Sequence, residues 1–218
     1  MKRIPTFHEL RDNILKCKKC SFKDKKAEPL YFNCNDPKLV KILVITEQPK
    51  RRENISTENN IVNFLRYPSA EEKRSKTRKT LLELFKEEFI TSITGGEGRY
   101  YWTHHTKCAS RKREIRNDCP KLWYLKELSI FVNLTLLITF GTKSYEALGL
   151  NNSFYECFWS EIESLIKGTF LLDNNDFVVT QNDKEYFHIA LPHPSAANPL
   201  SHFIPYFSKA ITGIINKI

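Results

Sequence analysis

Two short runs of apolar residues constrain the fold more than any other feature of this chain. Residues 41–45 (Lys-Ile-Leu-Val-Ile) and 134–140 (Leu-Thr-Leu-Leu-Ile-Thr-Phe) are rich in branched side chains and show no clean polar–apolar alternation. A strand apolar on both faces must be covered on both, which is the pattern of a strand inside a parallel sheet. The first run gives way to Thr46-Glu47-Gln48-Pro49 and the second stops at Gly141, both turn formers. Further strands are expected over 99–106 and over 187–191, the latter stopped by Pro192. A hairpin is expected to join 169–172 to 177–180 around Asp173-Asn174-Asn175-Asp176. Helical patterns lie between them. Residues 3–16 place Phe7, Leu10 and Ile14 at helical spacing behind Thr6 as N-cap, and 80–89 place Leu81, Leu84, Phe85 and Phe89 on one side. Helices are also expected over 118–132, with Pro120 in the first turn, over 142–148 and over 204–215. Alternating strands and helices predict an α/β fold around a mostly parallel sheet. Ligands of such sheets sit beyond the carboxyl ends of the strands. Glu47 and His193 each follow a strand end, and the topology allows both to reach one edge.

Length and charge narrow the function classes. At 218 residues the chain is expected to form one domain, 1–218, and 41% hydrophobic residues are enough for a real core. The longest apolar run, 134–140, is far short of the ~20 residues of a membrane span. The opening Met1-Lys2-Arg3-Ile4-Pro5 has no signal-peptide core, so a soluble, cytoplasmic protein is expected, without membrane partners. The 34 basic against 25 acidic side chains leave +9, which favours a polyanion, DNA above all, as partner. No oligomer seam stands out, and a monomer is expected.

Six cysteines in a reducing compartment point to metal or catalysis before disulfides. Cys17 and Cys20 form a Cys-x2-Cys pair, and Cys108 and Cys119 a looser one. Four thiolates suit tetrahedral zinc or a [4Fe–4S] cluster. A redox pair usually opens a helix after a strand, whereas this one follows a helix and encloses Lys18 and Lys19. Cys34 and Cys157 read as small buried hydrophobes. The connecting stretch 107–116, which starts just before Cys108, is a basic loop with Lys107, Arg111, Lys112, Arg113 and Arg116. Fixed by a metal staple it would grip phosphates; the plainer alternative is a solvated charge run.

In order along the chain these pieces resemble a known family. Cys17-x2-Cys20 precedes a strand running into Thr46-Glu47-Gln48-Pro49. An aromatic strand then ends in Lys107-Cys108, followed by Cys119-Pro120-x-Leu122. A third strand leads to Phe140-Gly141 and on to Ala147-Leu148, and His193-Pro194-Ser195-Ala196 comes last. The set is similar to the iron–sulfur branch of the uracil-DNA glycosylase superfamily, often called family 4, over nearly the whole chain. The resemblance implies a three-layer α/β/α sandwich with a central, mainly parallel four-stranded sheet. It implies a structural [4Fe–4S] cluster on Cys17, Cys20, Cys108 and Cys119, zinc being the alternative. It also implies a monofunctional DNA glycosylase that leaves an abasic site. In that reading Glu47 orients water or stabilises the sugar cation, and His193 donates a hydrogen bond to the departing base. Gln48, Phe64 (or Tyr67), His104 and Ser195 would touch the flipped base. Lys107, Arg111, Lys112 and Arg113 would hold DNA, with Leu200 as the wedge that fills the vacated stack.

The chain departs from the family at informative places. The usual Gly-Glu-Ala-Pro-Gly is here Thr46-Glu47-Gln48-Pro49-Lys50, and the asparagine that reads uracil is replaced by His104. A self-crosslinking branch also carries Glu-Gln-Pro but needs a histidine on its basic loop, and residues 109–117 hold none. An apparent insertion spans 68–78. Two substrates therefore stand side by side: uracil, by resemblance, and a bulkier modified cytosine of phage DNA, by these departures. A non-enzymatic nucleic-acid binder with a four-cysteine zinc site is the alternative from another class. Zinc-dependent base deamination is excluded, because no His-x-Glu occurs.

Overall fold

The computed structural model describes residues 6–17, 34–47, 76–107, 119, 123–168, 178–181, 183–194 and 198–217. Within them, five strands form one sheet: β1 (Ile42–Thr46), β2 (Tyr100–His104), β3 (Leu136–Phe140), β4 (Val178–Gln181) and β5 (Lys184–Leu191), in the order β2-β1-β3-β5-β4. β1 pairs parallel with β2 and β3, and β3 pairs parallel with β5. β4 is antiparallel to β5. The expected four-stranded sheet is corrected to five. The four parallel strands carry an antiparallel edge, because β5 starts at Lys184 and folds back on β4 through a turn in which Asp183 adopts φ 60°. The hairpin thus lies at 178–191. The turn expected at 173–176 and the strand expected at 169–172 fall outside the described residues.

The apolar runs behave as their composition requires. Every residue of β2 and β3 is buried, as are the first four of β1. Aromatic side chains separate the two faces of the sheet. Tyr100, Trp102 and Phe140 meet Phe85 and Phe89 of helix α2 (Lys76–Gly95), with Phe85–Tyr100 at 5.9 Å and Phe85–Phe140 at 6.3 Å between ring centroids. Tyr101, one residue on, points the other way to Phe7 of α1 (Phe7–Leu15) and to Phe131, which follows α3 (Leu125–Ile130). This is the period-two alternation of a strand covered on both sides, and it gives the α/β sandwich. α2 is longer than expected and is broken at Lys86 (φ 60°, ψ −169°). Leu81, Leu84 and Phe85 before the break and Phe89, Ile90 and Ile93 after it are all buried.

Capping fixes the helices that matter for the site. Thr6 and Glu9 form a capping box at the start of α1, as the sequence predicted for Thr6. Ser153 and Glu156 form another at the start of α5 (Phe154–Ile166). The chain closes with a 3₁₀ segment, Pro199–Tyr206, and α6 (Phe207–Lys217). The expected helix over 204–215 begins instead at Phe207, and its first expected residues, with Pro205, belong to the 3₁₀ segment. Among the described residues no helix is long and apolar enough to cross a membrane.

Candidate active site

The parallel registers align the carboxyl ends of β1, β2, β3 and β5 on one edge: Thr46 faces His104, and Phe140 faces Leu191. From β1 the chain crosses to β2 on one side, while β3 lies on the other, so the order reverses between β1 and β3. In open α/β sheets such a switch point leaves a crevice outside the strand ends. A cleft of about 300 Å³ lies there, lined by Glu47, Phe140, Gly141, Thr142, Lys143, Phe154, Tyr155, His193, Asn198 and Leu200.

Each wall has a local cause. Glu47 is the first residue after β1, and its carbonyl accepts from Thr106 N at 3.1 Å while Thr46 O accepts from His105 N at 2.9 Å. The continuation of β2 thus holds the backbone of the acid. His193 stands two residues past β5. Gly141 N donates to Leu191 O at 2.7 Å, so the ladder runs one step beyond β3 and supports this exit. Gly141 itself adopts φ 84°, a conformation open to glycine and costly to other residues. A Cβ built on it would meet His193 Cβ at 3.6 Å, an ordinary contact. Lys143, from α4 (Thr142–Glu146), places a cation on the wall, 3.1 Å from Glu146 Oε2. Phe154 and Tyr155 come from the capped start of α5, and Tyr155 is exposed. Asn198 Oδ1 accepts from Leu200 N at 3.0 Å and starts the 3₁₀ segment that carries Leu200 to the cleft.

The structure therefore places Glu47, His193 and Leu200 on one cleft, and separates two other residues from it. Lys107, expected on DNA, is about 1% exposed, and its Nζ donates to Glu127 Oε2 at 2.7 Å and to Thr103 Oγ1. This corrects the expectation, because a lysine locked in a buried ion pair cannot reach a phosphate. His104, expected to read the base, is buried beneath the end of β1 with Nδ1 2.6 Å from Thr46 Oγ1, and is not among the residues lining the cleft. Trp102 Nε1 donates to the same hydroxyl at 2.9 Å. Burial, with Lys107 and His105 nearby, holds His104 well below the ordinary imidazole range. Its neighbour His105 is held at about 4, chiefly by burial.

Two of the four expected cluster ligands are described. Cys17, just past α1, and Cys119 are both partly buried and packed against the core. Lys107 N donates to Cys119 Sγ at 3.4 Å, which brings the fourth cysteine beside the residue preceding the third. A peptide N–H aimed at sulfur is the kind of contact that steadies a thiolate ligand, so the donor chemistry fits a thiolate-held centre. Gln48, Phe64, Ser195, Cys20, Cys108, Arg111, Lys112 and Arg113 lie outside the described residues. Cys34 is buried as expected, and burial pushes its thiol up to about 12. Cys157 is not the plain hydrophobe expected, since its Sγ lies 3.3 Å from Glu161 Oε1.

Sequence reasoning missed Lys143, Tyr155 and Asn198. Tyr155 stands two residues after the Ser153 cap, and a capping box beside two aromatics was the available signal. Nothing in the sequence singled out Lys143 or Asn198. Fold and site together define an α/β protein with a carboxylate and an imidazole at the mouth of a switch-point cleft. No family model and no curated protein matches the chain.

Proposed function

We propose that this protein is a monofunctional DNA glycosylase that takes a flipped pyrimidine into the cleft and cuts its N-glycosidic bond. The observation that carries the reading is that Glu47 and His193, far apart in sequence, line the same cleft at the strand ends. As the bond breaks, the sugar gains positive charge and the base negative charge. Glu47 faces the first need: its carboxylate stabilises the cation or orients water. His193 answers the second by donating a hydrogen bond to a base oxygen. Phe140, Phe154 and Tyr155 offer apolar and aromatic surface for a base, and Leu200 at the rim suits a wedge. A volume near 300 Å³ is at the small end of ligand clefts, right for one base. The +9 charge supplies the general attraction to DNA. Cys17, Cys20, Cys108 and Cys119 would hold the [4Fe–4S] cluster, whose chemistry here is that of a staple between chain segments.

The substrate is uracil or a modified cytosine, which separates a repair role from an antiphage one. The test is incubation of the purified protein with single- and double-stranded DNA bearing uracil, and with phage DNA containing modified cytosine, followed by alkali cleavage. Discrete breaks at one base, lost in Glu47→Gln and His193→Gln protein, are expected. Removing one such stabilising group costs ~10²–10³ in rate. Intact DNA with every substrate overturns the reading. A colourless protein carrying zinc and retaining DNA affinity would then identify the non-enzymatic binder.

A further inference from the structure

Three side chains of metal-binding type, none of them part of the four-cysteine motif, converge between α5 and β5. Cys157 and Glu161 stand one turn apart on α5, and His188 projects from β5; one ligand atom of each lies within 4.8 Å of the others. Spacing of i and i+4 puts two donors on one helix face, and the strand supplies the third from a separate element. We propose that Cys157, Glu161 and His188 form a binding site for a divalent transition-metal cation, zinc being the best match.

The chemistry of the donors supports this. A thiol, an imidazole and a carboxyl together suit zinc, which takes sulfur, nitrogen and oxygen in a tetrahedron, and do not suit magnesium or calcium, which want oxygen alone. Glu161 and His188 are buried, while Cys157 is only partly so, which leaves a path from solvent. Both Glu161 oxygens accept from Ala190 N at 3.1 Å, and Cys157 Sγ is the other contact. Among the described residues no lysine or arginine pairs with it. A carboxylate so placed is poorly compensated, and burial raises Glu161 well above the ordinary carboxyl range and lowers His188 to about 3. Binding of one Zn²⁺ displaces the thiol proton, and the carboxyl proton where one is held, to water. The product, with thiolate, carboxylate and neutral imidazole, is uncharged, which offsets part of the cost of burying a cation. Tyr145 lies beside the set, with its ring 5.5 Å from that of His188. Its hydroxyl or a water would fill the fourth position. The site would tie α5, whose start bears Tyr155, to β5, whose exit bears His193, so it braces two walls of the cleft.

The experiment is zinc titration of the full-length protein against a chromophoric chelator, run on wild type and on Cys157→Ser, Glu161→Gln and His188→Gln variants. The four-cysteine motif is common to all of them and cancels. Wild type is expected to take up one more equivalent of zinc than each variant. Affinity at the site is expected to fall by more than ~100-fold, since loss of an outer partner alone costs about 10–100-fold. Cobalt in place of zinc should give a single-thiolate charge-transfer band that disappears in Cys157→Ser. Glu161→Gln keeps the acceptor for Ala190 N, and circular dichroism identifies the variants that fold. Equal zinc uptake by wild type and any folded variant overturns the proposal, whether or not the protein cuts DNA.

Discussion

Lys107 Nζ sits 2.7 Å from Glu127 Oε2, with both side chains about 1% exposed. Thr103 Oγ1 completes the set, 2.9 Å from the same carboxylate oxygen. The pair joins the end of β2 to α3, next to the backbone that approaches Cys119. Removing one member strands a buried charge, at a cost of about 3–5 kcal/mol. Glu127→Leu or Lys107→Met should each lower stability by that order in denaturant titration. The double variant Lys107→Met/Glu127→Leu should recover most of the loss. A double-mutant cycle measures the coupling directly.

The same burial makes a statement about DNA. Binding through phosphates weakens with salt in proportion to the number of cations engaged. Lys107→Met should leave the slope of log affinity against log salt unchanged, provided the variant is folded. Lys143→Met, which removes a cation lining the cleft, should reduce that slope by about 1.

Acid should unfold the protein through its buried histidines. His105 is held at about 4 against an ordinary 6.5. It faces the Thr46 carbonyl, Lys107 and Lys143, with Glu146 as the opposing charge. A folded value below the unfolded one means that the unfolded chain binds the extra proton first. Stability is therefore whole above about 6.5 and drains away as the pH falls from there toward about 4, at ~1.4 kcal/mol per pH unit for one such histidine. His104, also held below the ordinary imidazole range chiefly by burial, adds to the slope as the pH falls. Denaturation midpoints measured from pH 7 to pH 4 should show this fall, and His105→Asn should flatten it.

Legibility in the sequence followed the kind of force at work. β1 and β3 were readable because unbroken branched runs have few alternatives to a doubly covered strand, and their observed bounds shift by only a residue or two. The cleft was readable because strand ends are marked by residues that stop strands, Gly141 and Pro192, so Glu47 and His193 could be put at one edge. The β4–β5 hairpin was not read from the sequence, because Asp183 offers a weaker composition signal than Asp173-Asn174-Asn175-Asp176, the turn expected there, which lies outside the described residues. What stayed hidden was buried polarity. Lys107, Glu127, Glu161 and His188 are surface types by composition, and their burial depends on partners brought together by the tertiary fold. A charge in a basic segment looks like a phosphate ligand until Glu127 is found beside it.

Gly141 gives the most economical probe of the cleft itself. It turns the chain out of β3 at φ 84°, lies against His193, and has room for a methyl group, the nearest atom being 3.6 Å away. The cost of Gly141→Ala is then backbone strain without a clash, about 1–3 kcal/mol. The turn can shed that strain by relaxing toward negative φ, which pulls its N–H from Leu191 O and shifts the support under His193. At φ 84°, ψ 161° the turn lies outside the left-handed helical region, in backbone space that is essentially glycine's alone. Gly141→Asn should therefore be no milder in thermal melts than Gly141→Ala, and Gly141→Val worse than both. Base-release activity should fall in the same order, while Gly149→Ala should not affect it: Gly149 has a similar φ of 67° and open space around it, but does not line the cleft. Equal losses of activity at the two glycines would mean that Gly141 acts through overall stability alone and does not position His193.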